Sequence, residues 1–194
     1  KEILKIGFVG TAIIQYYAEK QEKEKLKSSS KKNIKNFDVE LISFHKTIFS
    51  KDDSVEAENL LKNKVDFLLI QTSSCSSGEQ LYPLCNISSK IGVWAVPDIE
   101  KEGGVKLHSL VSTSHYLGII KKTLSKRKIK TKLFYNSSDT DEFQNHFFLT
   151  VQSLLSQTKL QPSRLFLICG ISPGFDNMLV DYSKIHHHIL TIIS

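Results

Sequence analysis

The sequence has no apolar run approaching the roughly 20 residues needed to span a bilayer as a helix, so no transmembrane segment is expected. Its first residues, KEILKIGFVG, carry too much charge and too short an apolar stretch for a secretory signal. Three cysteines, Cys75, Cys85 and Cys169, form neither an even disulfide framework nor a CxxC pair. That excludes a stapled extracellular scaffold and points to reduced thiols in the cytoplasm. Neither the dinucleotide fingerprint GxGxxG nor a Walker A sequence occurs, and no repeat of fixed period is visible. The chain begins at Lys1 rather than methionine, so a processed product or a fragment is expected.

What is present is the composition of an ordinary globular protein. Of 194 residues, 40% are hydrophobic and 24% charged, enough for one domain, or one and a small extension, with its own core. The net charge of +6 invites a nucleic-acid reading. The lysines, however, gather at 20–35 and 121–132, and the first cluster is interleaved with Glu19, Glu22 and Glu24. Such runs are usually solvated faces and loops. No aromatic residues alternate with them as a single-strand platform needs. No nucleic-acid partner and no membrane partner is expected.

Short apolar runs alternate with longer amphipathic stretches. Strands are expected at Leu4–Val9, Val39–Ser43, Val65–Ile70, Ile91–Val96, Lys130–Tyr135 and Arg164–Cys169. Between them the pattern predicts helices at Thr11–Lys27, with Thr11 as N-cap, and at Asp52–Asn63, with Val55, Leu60 and Leu61 facing inward. Further helices are expected at Gly78–Ser89, confined or kinked by Pro83, at Ser112–Leu124 and at Asp141–Leu155. Residues 28–36 read as a polar linker. This alternation implies right-handed βαβ units and an α/β fold, an open, mostly parallel sheet with helices on both faces, flavodoxin-like or Rossmann-like in three layers. The nearly apolar runs at 4–9, 65–70, 91–96 and 164–169 are expected as its central strands. A domain over 1–180 and a tail, or the start of a further segment, over 181–194 complete the organisation.

Open parallel sheets bind ligands outside the carboxyl ends of their strands, which selects a few loops. Gly7-x-x-Gly10-Thr11 could hold an anion at a helix start, or be a plain tight turn. The run from Gln71 to Glu79 (QTSSCSSGE) is small, polar and ends at a helix N-terminus. Its hydroxyls and amides suit sugar hydroxyls or phosphate; equally, Ser76 or Ser77 could simply cap the helix, with Glu79 in its first turn. Cys75 has no base assignable from sequence, which weakens it as a nucleophile. Asp98, Glu100 and Glu102 in the loop after the fourth strand suggest a metal or acid–base group, or an exposed turn. His108 and His115 read as structural or exposed. In His186–His188 neighbours alternate between faces, which argues against a built metal site.

Three segments together resemble the L-fucose isomerase-like family of aldose–ketose isomerases. They are Val65–Glu79 (VDFLLIQTSSCSSGE), Ile91–Leu110 (IGVWAVPDIEKEGGVKLHSL) and Arg164–Phe175 (RLFLICGISPGF). The middle one is the most specific, and the match spans most of the chain but only the amino-terminal part of the family's architecture. Val111–His115 departs from the family pattern, and the tail after Asp181 matches nothing in it. The resemblance implies a proton shuttle between C1 and C2 through an ene-diol, with a divalent metal, Mn2+, held by carboxylates and a histidine. Those ligands lie in the family's carboxyl-terminal domains, and none is carried onto this chain. It implies further that Cys75, Ser76, Ser77, Gly78, Glu79, Trp94, Pro97 and Asp98 lie nearest a sugar substrate. Trp94 also has a plainer reading as core filler. The resemblance implies a homo-oligomer too, and Phe148, off the stripe of Phe143 and Phe147, is a candidate interface anchor. The expected function is thus an amino-terminal domain of a sugar isomerase, inactive alone. The rival is a free-standing module binding a small sugar or phosphate.

Overall fold

The computed structural model describes residues 3–13, 39–97, 109–160, 164–166, 173–175, 177 and 191–193. Two compact units divide the chain after Phe148. The first holds a five-stranded sheet built from β1 (Leu4–Thr11), β2 (Val39–Ser43), β3 (Phe67–Thr72), β4 (Lys90–Ala95) and β5 (Lys130–Tyr135). The strand order is β2-β1-β3-β4-β5 and every pairing is parallel. The helices are α1 (Lys51–Leu61), α2 (Gly78–Leu84), α3 (Ser109–Lys122) and α4 (Asp141–Leu160). This is the expected α/β fold: an open parallel sheet in a three-layer arrangement.

The central strands are legible as such because they are apolar on both faces. All six residues of β3 are buried, while β5, at the sheet's edge, buries only Phe134. One face of the sheet presents Val9, Leu68, Ile70, Ile91 and Val93 to Ala57 and Leu61 of α1, Leu81 and Leu84 of α2, and Tyr116 and Ile120 of α3. The other face carries an aromatic layer. Trp94 lies with its ring centroid 4.7 Å from Phe143 of α4 and 6.3 Å from Phe8, and Phe134 lies 5.9 Å from both Phe143 and Phe147. Gly92 makes this layer possible: an added Cβ would stand 2.6 Å from Phe67 Cζ and 2.8 Å from Phe134 Cε2.

Several boundaries differ from expectation, each for a local reason. Thr11 is not a helix cap. It is the last residue of β1, paired with Thr72 of β3 and bridged to Ile48; the expected helix beyond it lies largely in 14–27, outside the described residues, as does the linker 28–36. In α1, Ser54, Ala57 and Leu61 are buried, whereas Val55 and Leu60 are each 40% exposed. The inward stripe follows spacings of three and four, and Val55 and Leu60 fall beside it. A capping box fixes the start of α1: Ser50 Oγ accepts from Asp53 N at 3.2 Å, and Asp53 Oδ2 accepts from Ser50 N at 3.1 Å. Helix α2 ends at Leu84 rather than Ser89: Cys85 N still reaches Leu81 O, but the amides of Asn86 and Ile87 turn back only three residues, to Pro83 O and Leu84 O. Arg164–Phe166 forms β6, but its described partner is β7 (Thr191–Ile193), in a separate two-stranded parallel sheet of the second unit. It is not a described strand of the central sheet, where its apolar character had placed it. Among the described residues no helix is long and apolar enough to cross a membrane.

Candidate functional site

In the order β2-β1-β3-β4-β5 the chain runs outward in one direction from β1 and in the other from β3. Crossovers leaving these two neighbours diverge, which opens a crevice at their carboxyl ends, where such folds bind ligands. The residues delivered there are Gly10 to Ile13 after β1 and Gln71 to Ser77 at the end of β3.

On the α1–α3 face of this edge lies a closed network of hydroxyls. Thr72 Oγ1 stands 2.6 Å from Thr113 Oγ1 and 2.9 Å from Ser109 O. Ser109 Oγ donates to Thr72 O and accepts from Val96 N at 2.9 Å. Ser76 N donates to Ser112 Oγ at 2.7 Å, and Ser76 Oγ lies 3.1 Å from Thr11 Oγ1. Beyond them Tyr116 Oη donates to Gln80 Oε1 at 3.2 Å, and Gln80 Nε2 donates to Ala12 O at 3.3 Å. Burial pushes the Tyr116 hydroxyl up to about 12 despite its hydrogen bonds to Thr11 and Ser76, so it serves as a neutral hydrogen-bonding group and not as a base. These contacts tie β1, the loop after β3, α2 and α3 into one rigid edge.

On the aromatic face the accounting is different. Gln71 is opposite Gly10 of β1 and Trp94 of β4 and is 0% exposed. Both ends of its carboxamide, Nε2 and Oε1, lack a hydrogen-bond partner. The hydroxyl of Ser73, two residues on and 1% exposed, also lacks one. So does the buried hydroxyl of Ser43, which is opposite Phe8 and therefore on the same face. Buried polar groups are almost always paired, so the unpaired Gln71 and Ser73 at the switch point make this face the candidate site.

The residues anticipated from the sequence are distributed unevenly about this edge. Ser77 is the N-cap of α2, accepting from Glu79 N at 3.3 Å, with Glu79 exposed in the first turn. Ser76 is spent on the hydroxyl network. Gly78 is where α3 presses closest: an added Cβ would meet Ile119 Cδ1 at 2.8 Å. Cys75 is exposed on the loop. Trp94 is enclosed in the aromatic layer and its Nε1 donates to Asn136 O at 2.8 Å, the role of core filler. Pro97 is half-buried just past β4, and Asp98, Glu100, Glu102 and His108 lie outside the described residues. His115 is exposed on α3, and Phe148 is half-buried on α4. Gln71 and Ser73 belong to the expected loop but were not singled out. The signal available for Gln71 was a lone amide closing an otherwise apolar strand.

No group of three or more His, Cys, Asp or Glu side chains among the described residues could hold a metal ion. The described residues thus hold no donor set for the Mn2+ that the resemblance implies for the family's carboxyl-terminal domains. The fold is an α/β open parallel sheet whose topological switch point lies between β1 and β3. Compared with known proteins, the chain matches no family model and no curated sequence.

Proposed function

We propose that this chain is a cytoplasmic sugar-binding α/β domain, corresponding to the amino-terminal domain of a fucose isomerase-like aldose–ketose isomerase. The observation that carries the binding reading is the Gln71 carboxamide, fully buried and unpaired at the β1/β3 switch point. A ligand with hydroxyl groups supplies what that amide and the Ser73 hydroxyl lack. The three matching segments described above support sugar as the class, since two of them, Val65–Glu79 and Ile91–Leu110, contribute residues at this edge of the sheet. By the resemblance, whose metal ligands lie in the carboxyl-terminal domains, the chain binds without turning its ligand over. Isothermal titration of the chain with L-fucose and D-arabinose, beside an assay for ketose formation with added Mn2+, tests both parts. Binding without turnover is expected. Sustained turnover by this chain overturns its inactivity, and absence of heat with every sugar removes the site.

A further inference from the structure

Resting on that binding reading, we propose that Gln71 is the specificity-determining residue of the site and that it selects an electrically neutral, hydroxyl-bearing ligand over phosphorylated or carboxylated analogues. Three observations carry this. First, the unpaired groups are themselves neutral and of mixed sense. The Gln71 carboxamide offers donors at Nε2 and an acceptor at Oε1, while Ser73 and Ser43 offer hydroxyls that do either. A pair of ligand hydroxyls satisfies both ends of the amide at once. An anionic oxygen accepts only, so it leaves Oε1 unpaired and brings two acceptors together.

Second, among the described residues the carboxyl ends of β1 to β4 bring no cation to Gln71 and Ser73, and the basic side chains of the loop after β2, Lys46 and His45, lie against Asp53 and Glu56. Residues 6–13, 41–44, 67–77 and 91–97 contain no lysine, arginine or histidine. Gln71 and Ser73 are enclosed, and an anion taken to that depth without a cation loses its hydration uncompensated. Third, part of the backbone donor set of this loop is already committed. The Ser73 amide donates to Thr11 O, Ser76 to Ser112 Oγ, Glu79 to Ser77 Oγ and Gln80 to Ser77 O. Ser43 lies on the same face as Gln71, two strands away and opposite Phe8.

The test is titration of the full chain with L-fucose and D-arabinose as neutral probes, and with D-arabinose 5-phosphate and inorganic phosphate as anionic ones. The neutral sugars are expected to bind at least tenfold more tightly than either anion. Gln71→Met is expected to lose at least tenfold in sugar affinity while its melting temperature rises, so that the loss cannot be put down to misfolding. Ser73→Ala is expected to lose affinity with its melting temperature unchanged or raised. Unaltered sugar affinity in Gln71→Met means the amide does not read the ligand, and overturns the proposal. Phosphate or the sugar phosphate binding wild type as tightly as the neutral sugars also overturns it, while leaving the binding reading intact. Failure of all four probes removes the binding reading itself, and this proposal with it.

Discussion

Two buried glutamines of identical chemistry stand close to the same sheet edge, and they should respond oppositely to one substitution. Gln71 is 0% exposed with both amide ends unpaired, and Gln80 is 3% exposed with both ends used, on Ala12 O and the Tyr116 hydroxyl. An unpaired buried polar group costs about 1–3 kcal/mol. Gln71→Met keeps the length of the side chain, removes that cost and adds apolar contact with the aromatic layer, so the unliganded protein should gain about 1–3 kcal/mol. At about 2–4 °C per kcal/mol for a domain of this size, the melting temperature should rise by roughly 2–12 °C. Gln80→Met does the reverse. It strands the Ala12 carbonyl and takes the acceptor from Tyr116, and should cost about 1–3 kcal/mol. Urea unfolding followed by circular dichroism measures both, the change being read from the midpoint at constant slope. If Gln71→Met destabilises by more than about 1 kcal/mol, the Gln71 amide has partners in solution and the reasoning that makes it a ligand-reading group fails.

Other consequences follow from single contacts. Gly92→Ala should destabilise by about 1–3 kcal/mol, since its methyl would stand 2.6 Å from Phe67 Cζ in a layer of rings with no room to yield; a neutral result in urea would contradict the tightness of that layer. Asp53→Asn should weaken the α1 capping box by about 1 kcal/mol. Desolvation raises the Asp53 carboxyl, but hydrogen bonds from Lys46, Phe49 N and Ser50 outweigh it and hold the group below its ordinary value. With a depressed folded value, its stabilising share is complete above the unfolded value near 3.9 and is lost as pH falls through the folded one. Wild type and Asp53→Asn should therefore differ most at neutral pH and converge in strong acid, and a constant gap down to pH 2 would refute the assignment. Iodoacetamide at pH 8 should label Cys75, which is exposed, well before Cys85, whose thiol burial pushes up to about 11. Peptide mapping that finds Cys85 modified first would contradict the placement of α2.

The sequence by itself determined the strand–helix alternation and hence the parallel sheet. Runs such as FLLI at 67–70 and VWA at 93–95 have no polar face, and only a strand covered on both sides can use them. It also placed a small, polar loop after β3 ahead of a helix start, with a cap at Ser76 or Ser77 and a ligand-binding loop as equal readings; the structure makes Ser77 the cap. Three matters were decided only by tertiary structure. Apolar character alone could not say that Arg164–Phe166 pairs with β7, since strands of either sheet read alike. Composition could not say which glutamine is spent and which is unpaired; Gln71 and Gln80 differ only in the neighbours that the β1/β3 register and α3 bring to them. Nor could it divide the serines. Ser76, Ser109 and Ser112 are consumed in holding the edge together, while Ser43 and Ser73 are left unpaired on the opposite face of the sheet. Which face a side chain occupies depends on strand register to the single residue, and register is fixed by pairing between segments far apart in the chain.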